Sequence, residues 1–337
     1  MISSENPLHG VHYSILDLAV VSQGDTYSDT FRKCRELAQK VEALGYSRFW
    51  LSEHHNMQHV ASSATSVLIG NIAEHTQTLR IGSGGIMLPN HSPLAVAEQF
   101  GTLSTLYPGR IDLGLGRAPG TDGATAMALR KNNYDLNYDF EAHIQELQRY
   151  LSAENSTAKV RAFPGEGIDI PLWILGSSME SAILAGKLGL PYAFAAHFAP
   201  AQFYRAIELY RHYFIPSEYL AEPYILACVN VVAADNDDEA NYLATSLYQA
   251  FTGIITNTRR PLMPPVDDMD AVWTADVMEA VMQMTAFTFV GNRTTLQQHF
   301  NEFIQATKVN EIMAISQIFD QKAKLRSFEI LAEVFQK

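Results

Sequence analysis

The segment Glu53-His54-His55-Asn56 sets two adjacent imidazoles beside a carboxylate. On an extended backbone neighbouring side chains face opposite ways, so one histidine can face a pocket while the other turns into protein. The facing imidazole suits general acid–base work near neutral pH; the alternative is a histidine that fastens a loop by hydrogen bonds. His59 adds a third ring at a spacing open to a metal, although zinc requires three or four ligands at set geometry. A second group, Gly114-Leu115-Gly116-Arg117, places a guanidinium after two glycines. Bare backbone lets a flat ligand approach, and arginine can clamp a phosphate bidentately. The alternative is a structural Arg117 paired with a carboxylate such as Asp122. The run Gly114-x-Gly116-x-x-x-Gly120 lacks the spacing of a dinucleotide fingerprint. In Ser177-Ser178-Met179-Glu180, Ser177 and Glu180 match a capping box. Together with Ser181 the same hydroxyls and free N–H groups form a ready anion site. Gly84-Gly85 interrupts an apolar run, the mark of a bulge or of close ligand approach. His91 and His197 are further polar candidates.

These groups need a frame that brings them together. Apolar runs of strand length alternate with helical patterns along the chain. Strands are expected at 14–20, 47–52, 79–88, 110–115, 172–175, 192–196, 224–233 and 312–316. Between them, apolar residues recur at steps of three and four, as in Phe31, Cys34, Leu37, Val41 and Leu44, which gives each helix one buried face. Apolar strands alternating with helices indicate a parallel sheet covered on both sides. Eight such units favour a closed α/β architecture, the (β/α)8 TIM barrel with insertions, and place the polar groups above at the C-terminal strand ends where barrels build their sites. No linker divides the chain, so residues 1–337 are expected to form a single domain. Residues 118–139, 153–170 and 257–292 fall outside the repeat. The longest, 257–292, precedes the last β/α unit and reads as an insertion, either a lid or a plain surface excursion.

Composition narrows the function. Of 337 residues, 47% are hydrophobic and 18% charged, which suits a large packed core rather than a disordered chain. The net charge of −12 opposes nucleic acid and anionic membrane surfaces, so any phosphate site must be made locally. Only two cysteines, Cys34 and Cys228, are present, which gives no disulfide framework and suits a reducing, cytoplasmic setting. No signal-peptide pattern and no apolar run of membrane-spanning length is visible.

Four segments carry a resemblance: Phe49-Trp50-Leu51-Ser52-Glu53-His54-His55, Ile81-Gly82-Ser83-Gly84-Gly85-Ile86-Met87-Leu88-Pro89, Gly109-Arg110-Ile111-Asp112-Leu113-Gly114-Leu115-Gly116-Arg117, and Phe289-Val290-Gly291-Asn292. In order and spacing the chain resembles the bacterial luciferase-like flavin monooxygenases along nearly its whole length, and within them the single-chain members of unassigned substrate. The resemblance implies a barrel with a long insertion before the last unit. It implies reduced FMN at the barrel mouth, delivered by a separate NAD(P)H-flavin reductase, and O2 used to oxygenate a small organic substrate. His54 falls on the family's catalytic histidine. Arg117, Ser177, Ser178 and Ser181 fall on the phosphate site, and Gly84 and Gly85 on a pair joined by a cis peptide beneath the flavin. Gly116 stands where luciferase has a cysteine close to the flavin, which puts light emission in doubt, and Ser177 replaces an acidic residue. A homodimer is the family's usual form. Two other functions are compatible with the same barrel: a deazaflavin-dependent oxidoreductase, and a flavin-binding protein without catalysis.

Overall fold

The computed structural model describes residues 7–118, 120–130 and 139–336. Strand β1 (His12–Asp17) leads through α1 (Tyr27–Ala43) to β2 (Arg48–Leu51), α2 (Thr65–Glu74), β3 (Arg80–Met87), α3 (Pro93–Leu106) and β4 (Ile111–Gly116). Then come α4 (Gly123–Arg130), α5 (Phe140–Leu151), β5 (Leu172–Gly176), α6 (Met179–Lys187), β6 (Tyr192–Phe194), α7 (Phe203–Tyr213) and β7 (Ile225–Ala233). The chain closes with α8 (Asp237–Ile255), α9 (Ala275–Met284), β8 (Thr288–Gly291), α10 (Arg293–Thr307), β9 (Glu311–Ile315) and α11 (Gln321–Phe335). All strand pairs are parallel, and β1 to β7 followed by β9 close on β1 to form the eight-stranded TIM barrel.

The helices begin and end where their residues dictate. Thr26 and Asp29 form a capping box on α1, and Gly45 follows its end at φ +75°, a conformation only glycine adopts cheaply. Pro93 opens α3, where its missing N–H costs nothing. Helix α5 buries Phe140, Ile144, Leu147, Tyr150 and Leu151 in the main core beside α3, the aliphatic and Phe side chains contributing about 1.5–3 kcal/mol each relative to exposure. The main core lies between the strands and this helical layer. A smaller one, including Leu16, Trp50, Trp173, Leu226 and Met313, fills the barrel's inside.

Three expectations change. The first strand ends at Asp17, and Val20 instead bridges to Val60. Residues 257–292 are not a plain excursion: they contain α9 and a ninth strand, β8, which pairs with the far end of β7 from Asn230 to Ala233. Helix α9 packs on α8, with Val281 buried. Likewise 118–139 includes α4, while residues 131–138 lie outside the described part. Among the described residues no helix is long and apolar enough to cross a membrane. Cys34 and Cys228 are buried, unpaired thiols.

Candidate active site

At the C-terminal ends of the strands lies a cavity of about 550 Å³, a volume suited to a small-molecule site. His54, Gly84, Gly85, Gly116, Arg117, Ser177, Ser178 and Ser181 all line it. Its walls are mostly apolar, with Leu18, Met57, Phe198, Phe251 and Met284 among them.

His54 follows the end of β2. Its Nδ1 lies 3.1 Å from Ser52 Oγ, which in turn lies 3.0 Å from Ser62 Oγ. The ring is thus oriented by neutral hydroxyls, and Nε2 has no partner among the described residues. Burial is the main cause that brings the His54 pKa down to about 4, with the charges of His55, His59 and Arg259 adding to it and Glu53 opposing. The imidazole is therefore neutral near pH 7. His197, buried on the opposite wall, is pushed down to about 3, again chiefly by burial and then by His54. Its Nδ1 is a buried polar atom without a hydrogen-bond partner, an arrangement that usually awaits a ligand or water.

His55 turns away from the cavity, as the alternation of an extended chain requires. Its Nε2 lies 2.8 Å from Glu53 Oε1. His91 Nε2 approaches both Glu53 oxygens at 2.9 and 3.0 Å, and Met87 N and Asn90 Nδ2 donate to the same carboxylate at 3.0 and 3.2 Å. Burial would raise the Glu53 pKa, but the hydrogen bonds and charge of His91 and His55 outweigh it and hold the pKa low. Glu53, His55 and His91 are the metal-ligating types that converge, not the His54, His55 and His59 set open on spacing. The histidine–carboxylate distances are those of direct hydrogen bonds. This network fastens the β2 and β3 loops together behind His54.

The cavity glycines are all crowded by protein: a Cβ would stand 2.7 Å from Leu16 Cδ1 at Gly84, 2.8 Å from Gly114 O at Gly85 and 2.8 Å from Met87 Sδ at Gly116. The Gly84–Gly85 peptide is cis, and there the β3–β4 ladder skips from Ser83 to Ile86. A Cβ at Gly114 would stand 2.2 Å from Ser83 O. That glycine serves strand packing and not ligand approach. Gly116, one turn of the pleat further, reaches the cavity wall.

Arg117 is exposed at the mouth and makes no pair with Asp122, which instead bonds Thr125 and Asn56. Across from it the turn into α6 is capped by Ser178, whose Oγ accepts from Ser181 N at 3.3 Å. The cap is therefore one residue later than the Ser177–Glu180 box, because Ser178 is the residue with extended backbone. Ser181 Oγ donates to Ser178 O at 2.8 Å and meets Tyr192 OH at 3.0 Å, which ties the turn to β6. A guanidinium, hydroxyls and a helix N-terminus at one end of a cavity form a donor set suited to a phosphate monoester.

Against known families, the model of luciferase-like monooxygenases matches residues 11–309. The chain belongs to the luciferase-like monooxygenase family. A luciferase-like monooxygenase of Escherichia coli K12 is 47% identical over 324 residues, covering 96% of this chain and 97% of that protein. The Bacillus subtilis protein YvbT is 51% identical over 333 residues, covering 98% and 99%. Among solved structures, apo-MsnO8 superposes with a TM-score of 0.90 at 34% identity, covering 97% of this chain and 98% of that one. Within this luciferase-like barrel, the sequence reading passed over Ser52, which orients His54, and Arg259 and Arg260, which also line the cavity. Ser52 lies inside the Phe49–His55 motif, and its position two residues before His54 is the signal that marks it. The arginines lie in a proline-containing stretch with no pattern to mark them.

Proposed function

We propose that this protein is an FMN-dependent monooxygenase that takes reduced FMN from a separate NAD(P)H-flavin reductase and uses O2 to oxygenate a small organic substrate. The supporting observation is one cavity that combines an anion cradle, a neutral oriented histidine and apolar walls. Reduced FMN, when bound, supplies the electrons that activate oxygen. Arg117, Ser177 and Ser178 hold its phosphate, with Ser181 fixing the turn beneath them. Gly84, Gly85 and Gly116 offer bare backbone to the ring. His54 carries a proton at Nε2 or receives one there, according to tautomer, and Ser52 keeps the ring aimed into the cavity. The apolar side chains of Leu18, Met57 and Phe251 exclude water from the reacting atoms. The same reading expects a homodimer, checked by light scattering.

An anaerobic titration with reduced FMN followed by an oxygen pulse tests this. Saturable binding, and reoxidation that differs in rate from free flavin and responds to substrate, is the expected result. Binding of a reduced deazaflavin but not of FMN would reassign the protein as a deazaflavin-dependent oxidoreductase. Binding of FMN with reoxidation like that of free flavin under every substrate tried, and unchanged in His54→Ala, would leave a flavin-binding protein without catalysis.

A further inference from the structure

The cavity wall carries more positive charge than one flavin phosphate needs. Arg117, Arg259 and Arg260 line it, and among the described residues no Asp or Glu does, although the chain as a whole bears a net charge of −12. Among the described residues the ion pairs of arginine are made by others, such as Arg48, Arg80, Arg161 and Arg326, and none by these three. The three also stand apart. The charge of Arg117 is felt by Glu180 at the start of α6. The charge of Arg259 is felt by His54 and His59, on the β2 side.

Arg259 is held there by its backbone neighbours. Thr258 N donates to Gly253 O at 2.8 Å, which ties the segment to the end of α8. Three residues after Arg259, Leu262 is buried; its N donates to Val21 O at 2.9 Å, and its O accepts from Gln23 N at 2.8 Å. Val21 N donates in turn to His59 O at 2.9 Å. Arg259 and Arg260 thus sit on a short stretch anchored at both ends, beside the segment that bears His59. The wall next to them is apolar, from Met57, Val60, Phe251, Ile254, Leu262 and Met263.

We propose that Arg259, with Arg260 beside it, forms a second anion subsite that binds the carboxylate of the substrate, so that the substrate class is a small carboxylic acid with an apolar body. A guanidinium without a carboxylate of its own presents a fixed fork that matches a carboxylate bidentately. The apolar wall takes the rest of the molecule, and its anchoring at Arg259 sets it on the His54 side of the cavity. Which molecule is called substrate, and which the cofactor, rests on the FMN reading above; the presence of the subsite does not.

The test uses the full chain saturated with oxidised FMN, with octanoate and octan-1-ol as probes in calorimetric titrations. Octanoate is expected to bind at least about tenfold tighter than octan-1-ol, as a charge-assisted bidentate contact would give. Arg259→Gln is expected to remove that advantage while leaving octan-1-ol and FMN affinities unchanged. The proposal is overturned if octanoate does not bind, if the two probes bind alike, if Arg259→Gln leaves octanoate binding intact, or if octanoate displaces FMN and so shares the Arg117 cradle. Should the wild-type chain fail to bind oxidised FMN, the anaerobic titration with reduced FMN still decides the FMN reading, and the same octanoate titrations on the flavin-free chain still decide the subsite.

Discussion

The two ends of the barrel treat charge in opposite ways. At the N-terminal strand ends, Arg48 Nε bonds Glu311 at 3.0 and 3.1 Å, and its Nη1 bonds Asp112 at 2.8 Å. Arg80 and Trp50 Nε1 complete Asp112; Ser14 and Tyr224 complete Glu311. Arg48 also lies over the Trp173 ring, 4.7 Å from its centroid. Burial alone would lower the Arg48 pKa, but Glu311 and Asp112 outweigh it and hold the group charged. At the C-terminal ends, His54 Nε2, His197 Nδ1 and the guanidinium groups of Arg117 and Arg259 have no such partners among the described residues. A closed circuit of charges spends its interaction energy on the fold. The open one at the mouth keeps its energy for a ligand.

The contrast can be broken from either end. The largest effect is expected at the base: Arg48→Met leaves buried Glu311 without a cation among the described residues and takes one of two from Asp112, a loss of about 3–5 kcal/mol, read by chemical denaturation. At the mouth the signs reverse, and His54→Ala should leave the denaturation midpoint nearly unchanged while lowering oxygenation turnover by about 10²-fold. If the proposed FMN assignment holds, Arg117→Gln should weaken FMN binding by about tenfold, measured by flavin fluorescence, again without loss of stability. Ser52→Ala, which releases the His54 ring and the Ser62 hydroxyl, should lower turnover by about two- to fivefold, the scale of one neutral hydrogen bond.

A pH titration of stability sharpens the same comparison. His54 and His197 have folded pKa values near 4 and 3, below the ordinary 6.5. The unfolded chain therefore binds more protons between those values, so stability is present above pH 6.5 and is lost as pH falls toward 4 and 3. The thermal midpoint should drop across that window, and the drop should shrink in the double variant His54→Gln, His197→Gln.

The barrel was legible because it follows from repetition, whereas the charge network at its base joins residues as far apart as Arg48 and Glu311 and left no local pattern. Apolar strands and amphipathic helices announce themselves in local spacing, and strands β5 and β9 fall within a residue of where the pattern puts them. Strand β8 was hidden for a physical reason. It has four residues and a half-buried alternation, too short for periodicity to separate from loop, and it pairs only with the tip of β7. The site was legible where its residues sit at strand ends inside one motif, as at His54 and Arg117. It was illegible where partners come from afar: His91 reaches Glu53 across 38 positions, and Arg259 comes to the His54 side only because Leu262 docks on Val21. The Ser177–Glu180 box shows a subtler limit, since two adjacent serines offer two caps and only the backbone at Ser178 decides between them.

Strand β8 also bears on solubility. Asn230 pairs with Ile315 of β9 on one side and with Thr288 of β8 on the other, the side on which β6 pairs lower down, from Ile225 to Ala227. Because β6 is only three residues long, β7 would otherwise present Val231, Val232 and Ala233 as an uncovered apolar edge. Such an edge templates pairing between molecules. A chain shortened by removal of residues 275–291 would keep its barrel strands and yet expose a ladder ready to accept a neighbour, with aggregation as the visible result.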